Sequence, residues 1–146
     1  MKVLHSVHPD DFKIYGTEQI RDRFLIDNLI KADQINCAYT HYDRIILGVA
    51  HPVTNTLTLE NYPNLKADYF LERREIGIIN VAGDGEVNVD GEVFKLRKLD
   101  CLYIGKGVKE VSFTAADAAN PDGGARESLP AHAPAADAGQ TRARSH

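Results

Sequence analysis

The stretch "EVNVDGEVFKL" constrains the chain most. Val87 and Val89 alternate with polar residues, Asp90-Gly91 follows, and Val93-Phe94 begins a return run. An Asp-Gly pair between two alternating segments is the sequence of a type I′ turn, whose two central residues must both take positive φ. A two-residue antiparallel hairpin is therefore predicted over residues 86–96. Its neighbours read the same way. "INCAYT" (Ile35–Thr40), "RIILGVA" (Arg44–Ala50), "NTLTLE" (Asn55–Glu60), "DYFLER" (Asp68–Arg73), "GIINVAG", "DCLYIG" (Asp100–Gly105) and "EVSFT" (Glu110–Thr114) are short, rich in β-branched or aromatic residues, and separated by turn residues. Eight or more short strands at close spacing predict an all-β antiparallel sandwich or barrel, in which closure would protect the sheet edges. Helical period occurs only in "GTEQIRDRFL" (Gly16–Leu25), where Thr17 is placed to cap a short helix with Glu18 in its first turn.

Composition divides the chain. All eleven Phe and Tyr residues lie at or before Phe113, whereas residues 115–146 hold eleven Ala, three Pro, three Gly and one Leu. Such a segment buries too little apolar surface to offset a backbone ordering entropy of about 1–2 kcal/mol per residue, so a disordered C-terminal tail is expected. The net charge of −4, without a basic face, argues against a nucleic-acid partner. No apolar run approaches the roughly 18–20 residues of a membrane span, and no secretory leader is legible, so no membrane partner and a cytoplasmic location are expected. Cys37 and Cys101 lack zinc or disulfide spacing and read as buried thiols in a reducing compartment.

The segment from Glu75 to Phe113 resembles the cupin pattern: a Glu, an apolar strand, Gly-x-Gly, a hairpin closed by Asp-Gly, "L-x-x-x-D-x-L-Y-I", then "G-x-x-x-x-V". Metal-bearing cupins place an H-x-H pair a few residues before the Glu and a further His after the glycine turn. Alternate strand residues share a face, so H-x-H aims two imidazoles into the barrel mouth. Here those positions fall at or beside Asp68 and Phe70, and the late position falls near Glu110. Phe70 cannot ligate, and the residues point to a barrel filled by packed side chains. His5 and His8 belong to the N-terminal lead. His41 and His51 flank one strand, roughly 30 Å apart if it runs unbroken. No metal site is expected in this chain.

"ERRE" (Glu72–Glu75) lies between "YFL" and "IGII", which turns two of its four charges toward the interior or an interface. Buried charges need partners. An internal or subunit-bridging ion pair is the first reading, and recognition of a substrate carboxylate by Arg73 and Arg74 the second. "GKG" (Gly105–Gly107) reads as a tight turn, with Lys106 a candidate anion binder outside any phosphate-loop spacing.

Together, "HSVHPDDFK", "RDRFLIDNLI", "YTHYDRIILGVAHPVT", "YFLERREIGIINVAGDGEVNVDGEVFKL" and "DCLYIGKGVKEVSF" resemble the N-terminal half of the 4-deoxy-L-threo-5-hexosulose-uronate ketol-isomerase (5-keto-4-deoxyuronate isomerase) family, over about residues 1–121. The resemblance implies one cupin-like half of a bicupin, a zinc, a homo-oligomer, and isomerisation of 5-dehydro-4-deoxy-D-glucuronate to 3-deoxy-D-glycero-2,5-hexodiulosonate in pectin and hexuronate breakdown. It also implies that the metal ligands lie in the second half, which opens with a stretch like "HTHERR" where this chain has "YFLERR". No catalytic residue is therefore assigned to this chain. Arg73, Arg74 and Lys106 are its substrate-binding candidates, and no zinc is expected on it. Residues 122–146, with "SLPAH" (Ser128–His132) embedded in Ala- and Arg-rich text, read as an out-of-frame or truncated tail. A non-catalytic scaffold, a subunit-interaction module, and the product of a decayed gene are the alternatives.

Overall fold

A computed structural model describes residues 1–116, together with the backbone of residues 129–131 and 141–143. The hairpin forms as the sequence dictates. Strand β6 (Gly85–Val89) pairs antiparallel with β7 (Glu92–Leu96), and Asp90 and Gly91 take φ of 49° and 95°. The turn is also anchored from outside. The Asp90 carboxylate accepts the backbone N–H groups of Lys109 and Glu110, the latter at 2.7 Å. The residue that sets the turn thus also fixes the entry to β9 (Val111–Ala115), which pairs with β6 on its other side.

Two sheets face each other. One has four strands in the order β4 (Leu57–Thr58), β9, β6, β7. The other contains β1 (Lys2–Leu4), β2 (Gln34–Thr40), β3 (Ile45–His51), β5 (Ile76–Ile79) and β8 (Cys101–Ile104), joined by two short strands from the C-terminal segment. Apart from the parallel β1–β2 pair and the last pair at the β8 edge, the ladders are antiparallel. The sheets form an open sandwich rather than a closed barrel. Ile76 and Ile78, Val87 and Val89, Phe94 and Leu96, Leu102 and Ile104, and Val111 and Phe113 alternate with more exposed residues and fill the space between them. This period-2 burial is what a two-layer β-fold requires.

Asn80, 2 % exposed, is the buried polar residue among the described positions. Its Nδ2 donates to the carbonyls of Gly83 and Leu96, at 2.8 and 2.9 Å, and its Oδ1 accepts from the N–H of Ala82. One side chain thereby ties the loop after β5 to the end of β7.

Several expectations need correction. Residues 68–73 are turns and bends rather than a strand, with Phe70 and Leu71 both buried. The αL residue Lys66 (φ 50°) turns the chain after a 3-10 helix at Pro63–Leu65, and the turn that follows carries both side chains inward. The N-terminal helix α2 (Thr17–Phe24) is capped from Gly16, whose N–H donates to Gln19 Oε1 at 2.9 Å, rather than by Thr17. A shorter helix, α1 (Pro9–Phe12), precedes it, with His8 Nδ1 accepting the N–H of Asp10. Cys37 is buried but Cys101 is exposed, because Leu102 and Ile104 take the inward positions of β8.

In the tail, residues 117–128, 132–140 and 144–146 lie outside the described residues. At β10 (Leu129–Ala131) and β11 (Thr141–Ala143) the backbone is strand rather than irregular. β10 lies between β3 and β5, and β11 runs parallel along β8. Strand pairing uses main-chain hydrogen bonds rather than large side chains, and in β10 Pro130 can accept but not donate one.

Candidate functional site

Between the two sheets lies a cavity of about 280 Å³, bordered by β2, β3, the start of β5 and β9. Its body is apolar, with Ile35, Leu59, Phe70, Ile76, Ile78 and Phe113 among its walls. Cys37 enters from β2, directly opposite Gly48 on β3. A methyl group on Gly48 would stand 2.8 Å from Cys37 Sγ, so glycine is what lets the thiol occupy this wall. Burial pushes the Cys37 thiol above its ordinary value, opposed in part by the Tyr62 hydroxyl. Tyr62 is raised chiefly by burial, then by Cys37 and Glu60. Both groups therefore stay protonated at neutral pH, and neither is an activated nucleophile.

The charges at this cavity are Arg44, Arg74 and Glu75. Arg74 stands two residues before Ile76 and four before Ile78, and so falls on the inward side of that extended run. Its Nη1 is buried and has no hydrogen-bond partner among the described residues. Glu75, one residue on, is exposed, and among the described residues no ion pair joins it to Arg74. The favoured internal ion pair in "ERRE" is thus not formed within the described chain. Instead Arg73 contacts Glu72 at 3.8 Å on the surface, and Glu72 accepts the N–H of Asp68 at 2.9 Å. Lys106 is exposed at the tip of the Gly105–Gly107 turn, which docks through Gly107 N–H on the Leu71 carbonyl at 2.7 Å. Of the three cations singled out in the sequence, Arg74 alone lines the cavity.

The cupin ligand positions do not converge on a metal. Phe70 is buried against Tyr62, ring centroids 6.3 Å apart, while Asp68, Glu75 and Glu110 are exposed. Among the described residues no three His, Cys, Asp or Glu side chains are grouped to hold an ion, so this donor set does not fit a zinc. The histidines do hold one surprise for sequence reasoning. The parallel β1–β2 pairing carries His5 to His41, and the rings stack at 4.8 Å and 12° with Tyr39 against His41. His51 pairs with Gln34 at the far end of the β2–β3 hairpin, its ring nitrogens buried and without hydrogen bonds.

A carboxylate cradle near the surface went unseen in the sequence. Asp33 accepts the N–H groups of Val53, Thr54 and Asn55 at 2.8–3.0 Å and the Thr54 hydroxyl at 2.6 Å. These four donors hold its carboxyl well below the ordinary range. The cradle locks the loop after β3 and has no spare donor for a ligand.

No family model matches the chain. It is 53 % identical over 128 residues to a 4-deoxy-L-threo-5-hexosulose-uronate ketol-isomerase of Formosa agariphila, covering 88 % of this chain and 46 % of that protein. Enzymes of the same name from Lachnoclostridium phytofermentans and Caldicellulosiruptor bescii are 46 % and 48 % identical over 132 residues, each covering 90 % of this chain and 48 % of the relative. The chain spans about half the length of the curated relatives it matches. By these identities it resembles half of a 4-deoxy-L-threo-5-hexosulose-uronate ketol-isomerase, the N-terminal half by the motifs it carries.

Proposed function

We propose that this chain is the scaffold half of a uronate ketol-isomerase, in which residues 1–121 form the domain and the metal chemistry belongs to a second half. The observation that carries the reading is the identity of 45–53 % to enzymes of that name, over about half their length. Moving a carbonyl along a sugar acid needs a base for the proton beside it and an electrophile for the enediolate charge. The described residues offer neither a metal cluster nor a titratable group tuned toward neutrality in the cavity. What they offer is a two-sheet sandwich with the exposed cations Arg73 and Lys106 as candidates for a sugar-acid carboxylate, while Arg74, the third candidate read from the sequence, lines the apolar cavity instead. Zinc, a homo-oligomeric assembly and a cytoplasmic location belong to the same reading. Among the described residues no helix is long and apolar enough to cross a membrane.

Reconstitution tests it. The chain is assayed for isomerisation of 4-deoxy-L-threo-5-hexosulose uronate alone, and after mixing with the separately expressed C-terminal half of the Formosa agariphila relative. The expected result is no turnover and no stoichiometric zinc for the chain alone, with both appearing in the mixture and a larger species by sedimentation. One tightly held zinc per chain together with turnover by the chain alone would overturn the scaffold reading. Reconstitution no faster than the added half by itself would remove this chain's part in the reaction.

A further inference from the structure

We infer that the inter-sheet cavity is a binding site in its own right for a small carboxylate with an apolar body, anchored by Arg74. Three observations converge on it. The cavity is roomy, about 280 Å³ between aliphatic and aromatic walls with an open side toward solvent, whereas an apolar cavity of about 150 Å³ already admits benzene. A permanent cation lines it, because a guanidinium stays charged at any working pH. Its Nη1 is buried and lacks a hydrogen-bond partner among the described residues, although the side chain as a whole is only partly buried. A buried N–H without an acceptor is unfavourable, and an anion entering the cavity supplies the missing acceptor. The planar guanidinium fork selects a carboxylate, which can accept two of its N–H groups at once.

The walls decide the rest of the ligand. Besides the charged residues, the lining offers the Cys37 thiol, a weak hydrogen-bonding group. Ring hydroxyls of a sugar acid would lose water there without replacement, whereas an alkyl or aryl body loses nothing. Glu75, the carboxylate of the lining, is exposed and unpaired with Arg74, so it leaves the guanidinium free for a ligand. Arg44 adds a second positive charge on the exposed side of the same cavity. The site differs in ligand chemistry from the uronate reaction.

The test uses the full chain with isoleucine-methyl NMR, following Ile35, Ile76 and Ile78, which line the cavity. Benzoate and hexanoate are titrated against benzyl alcohol and hexan-1-ol, which keep the body and remove the charge, and against glucuronate, which keeps the charge and replaces the body. The acids are expected to shift the three methyls with affinities about tenfold or more above those of the alcohols, and glucuronate to leave them unmoved. Arg74→Gln should abolish the preference for acid over alcohol while the alcohols still bind. Equal affinity of acid and alcohol, retention of the preference in Arg74→Gln, absence of any shift at millimolar ligand, or tighter binding of glucuronate than benzoate would each overturn the inference. Should Arg74→Gln fail to fold, the acid-to-alcohol ratio in the unaltered chain decides alone.

Discussion

Replacing Asn80 should destabilise the chain more than any other single polar substitution in the described sandwich. The residue is 2 % exposed, and its side chain makes three hydrogen bonds, two as donor to Gly83 and Leu96 and one as acceptor from Ala82. Asn80→Ala removes all three and strands the Leu96 carbonyl in the interior. At about 1 kcal/mol per net hydrogen bond the loss is about 3 kcal/mol. With a urea m-value of about 2 kcal/mol/M this lowers the unfolding midpoint by about 1.5 M. Asn80→Asp sharpens the test. It conserves shape but turns both donations into contacts between oxygens, and it places an ionisable group where burial opposes charge. Its folded-state pKa should therefore rise above the unfolded value of about 3.9, so that the variant gains stability relative to the parent as pH falls toward that value and loses it as pH rises. Urea titrations followed by far-UV circular dichroism at pH 7 and pH 4, each referred to the parent at the same pH, measure both effects. A midpoint shift under about 0.5 M for Asn80→Ala, corresponding to about 1 kcal/mol, would refute the three-bond accounting. An Asp variant whose deficit does not shrink at acid pH would refute the burial argument.

Gly48→Ala should cost about 1–3 kcal/mol through the 2.8 Å approach to Cys37 Sγ, and the double variant with Cys37→Ala should be less destabilised than the sum of the singles, as urea titrations of all four proteins would show. Acid should weaken the chain partly through Asp33. Its folded pKa lies below the ordinary aspartate value of about 3.9, so its stabilisation is full above that value and is lost as pH falls below it; Asp33→Asn should flatten this part of the stability–pH curve. Iodoacetamide at neutral pH should modify Cys101, which is exposed, well before Cys37, which is buried and held protonated; mass spectrometry of the time course gives the order.

The hairpin was legible because its information is local: Asp90 and Gly91 both tolerate positive φ, and their flanks alternate. The strands around it were legible for the same reason, since Ile76–Ile79, Cys101–Ile104 and Val111–Ala115 each bury every second residue. Residues 68–73 misled because aromatic and branched content mimics a strand, while the burial of both Phe70 and Leu71 is decided by what packs above them. Asp33 could not have been found. Its donors sit at Val53, Thr54 and Asn55, twenty residues or more away, and only the β2–β3 pairing brings that loop to it. The meeting of His5 with His41 has the same cause, a parallel pairing that no local pattern encodes.

Four adjacent charges beside an apolar strand did imply that some would face inward, and alternation with Ile76 and Ile78 identifies Arg74 as the one that does. The partner expected for it is what three-dimensional placement withheld, since Glu75 borders the same cavity but is exposed and makes no ion pair with Arg74 among the described residues. That detail bears on the missing metal as well. Phe70, at or beside a position where the cupin resemblance would put an imidazole, packs into the same cavity that Arg74 lines with a fixed positive charge. A divalent cation entering there would meet a like charge in a low-dielectric space, where repulsion is far stronger than in water. The apolar walls offer a metal ion few donors, and Arg44 and Arg74 outweigh the one lining carboxylate, Glu75, so the charge at the cavity disfavours a cation as well. Those same two features, apolar walls and an unpaired guanidinium, are what an organic anion requires.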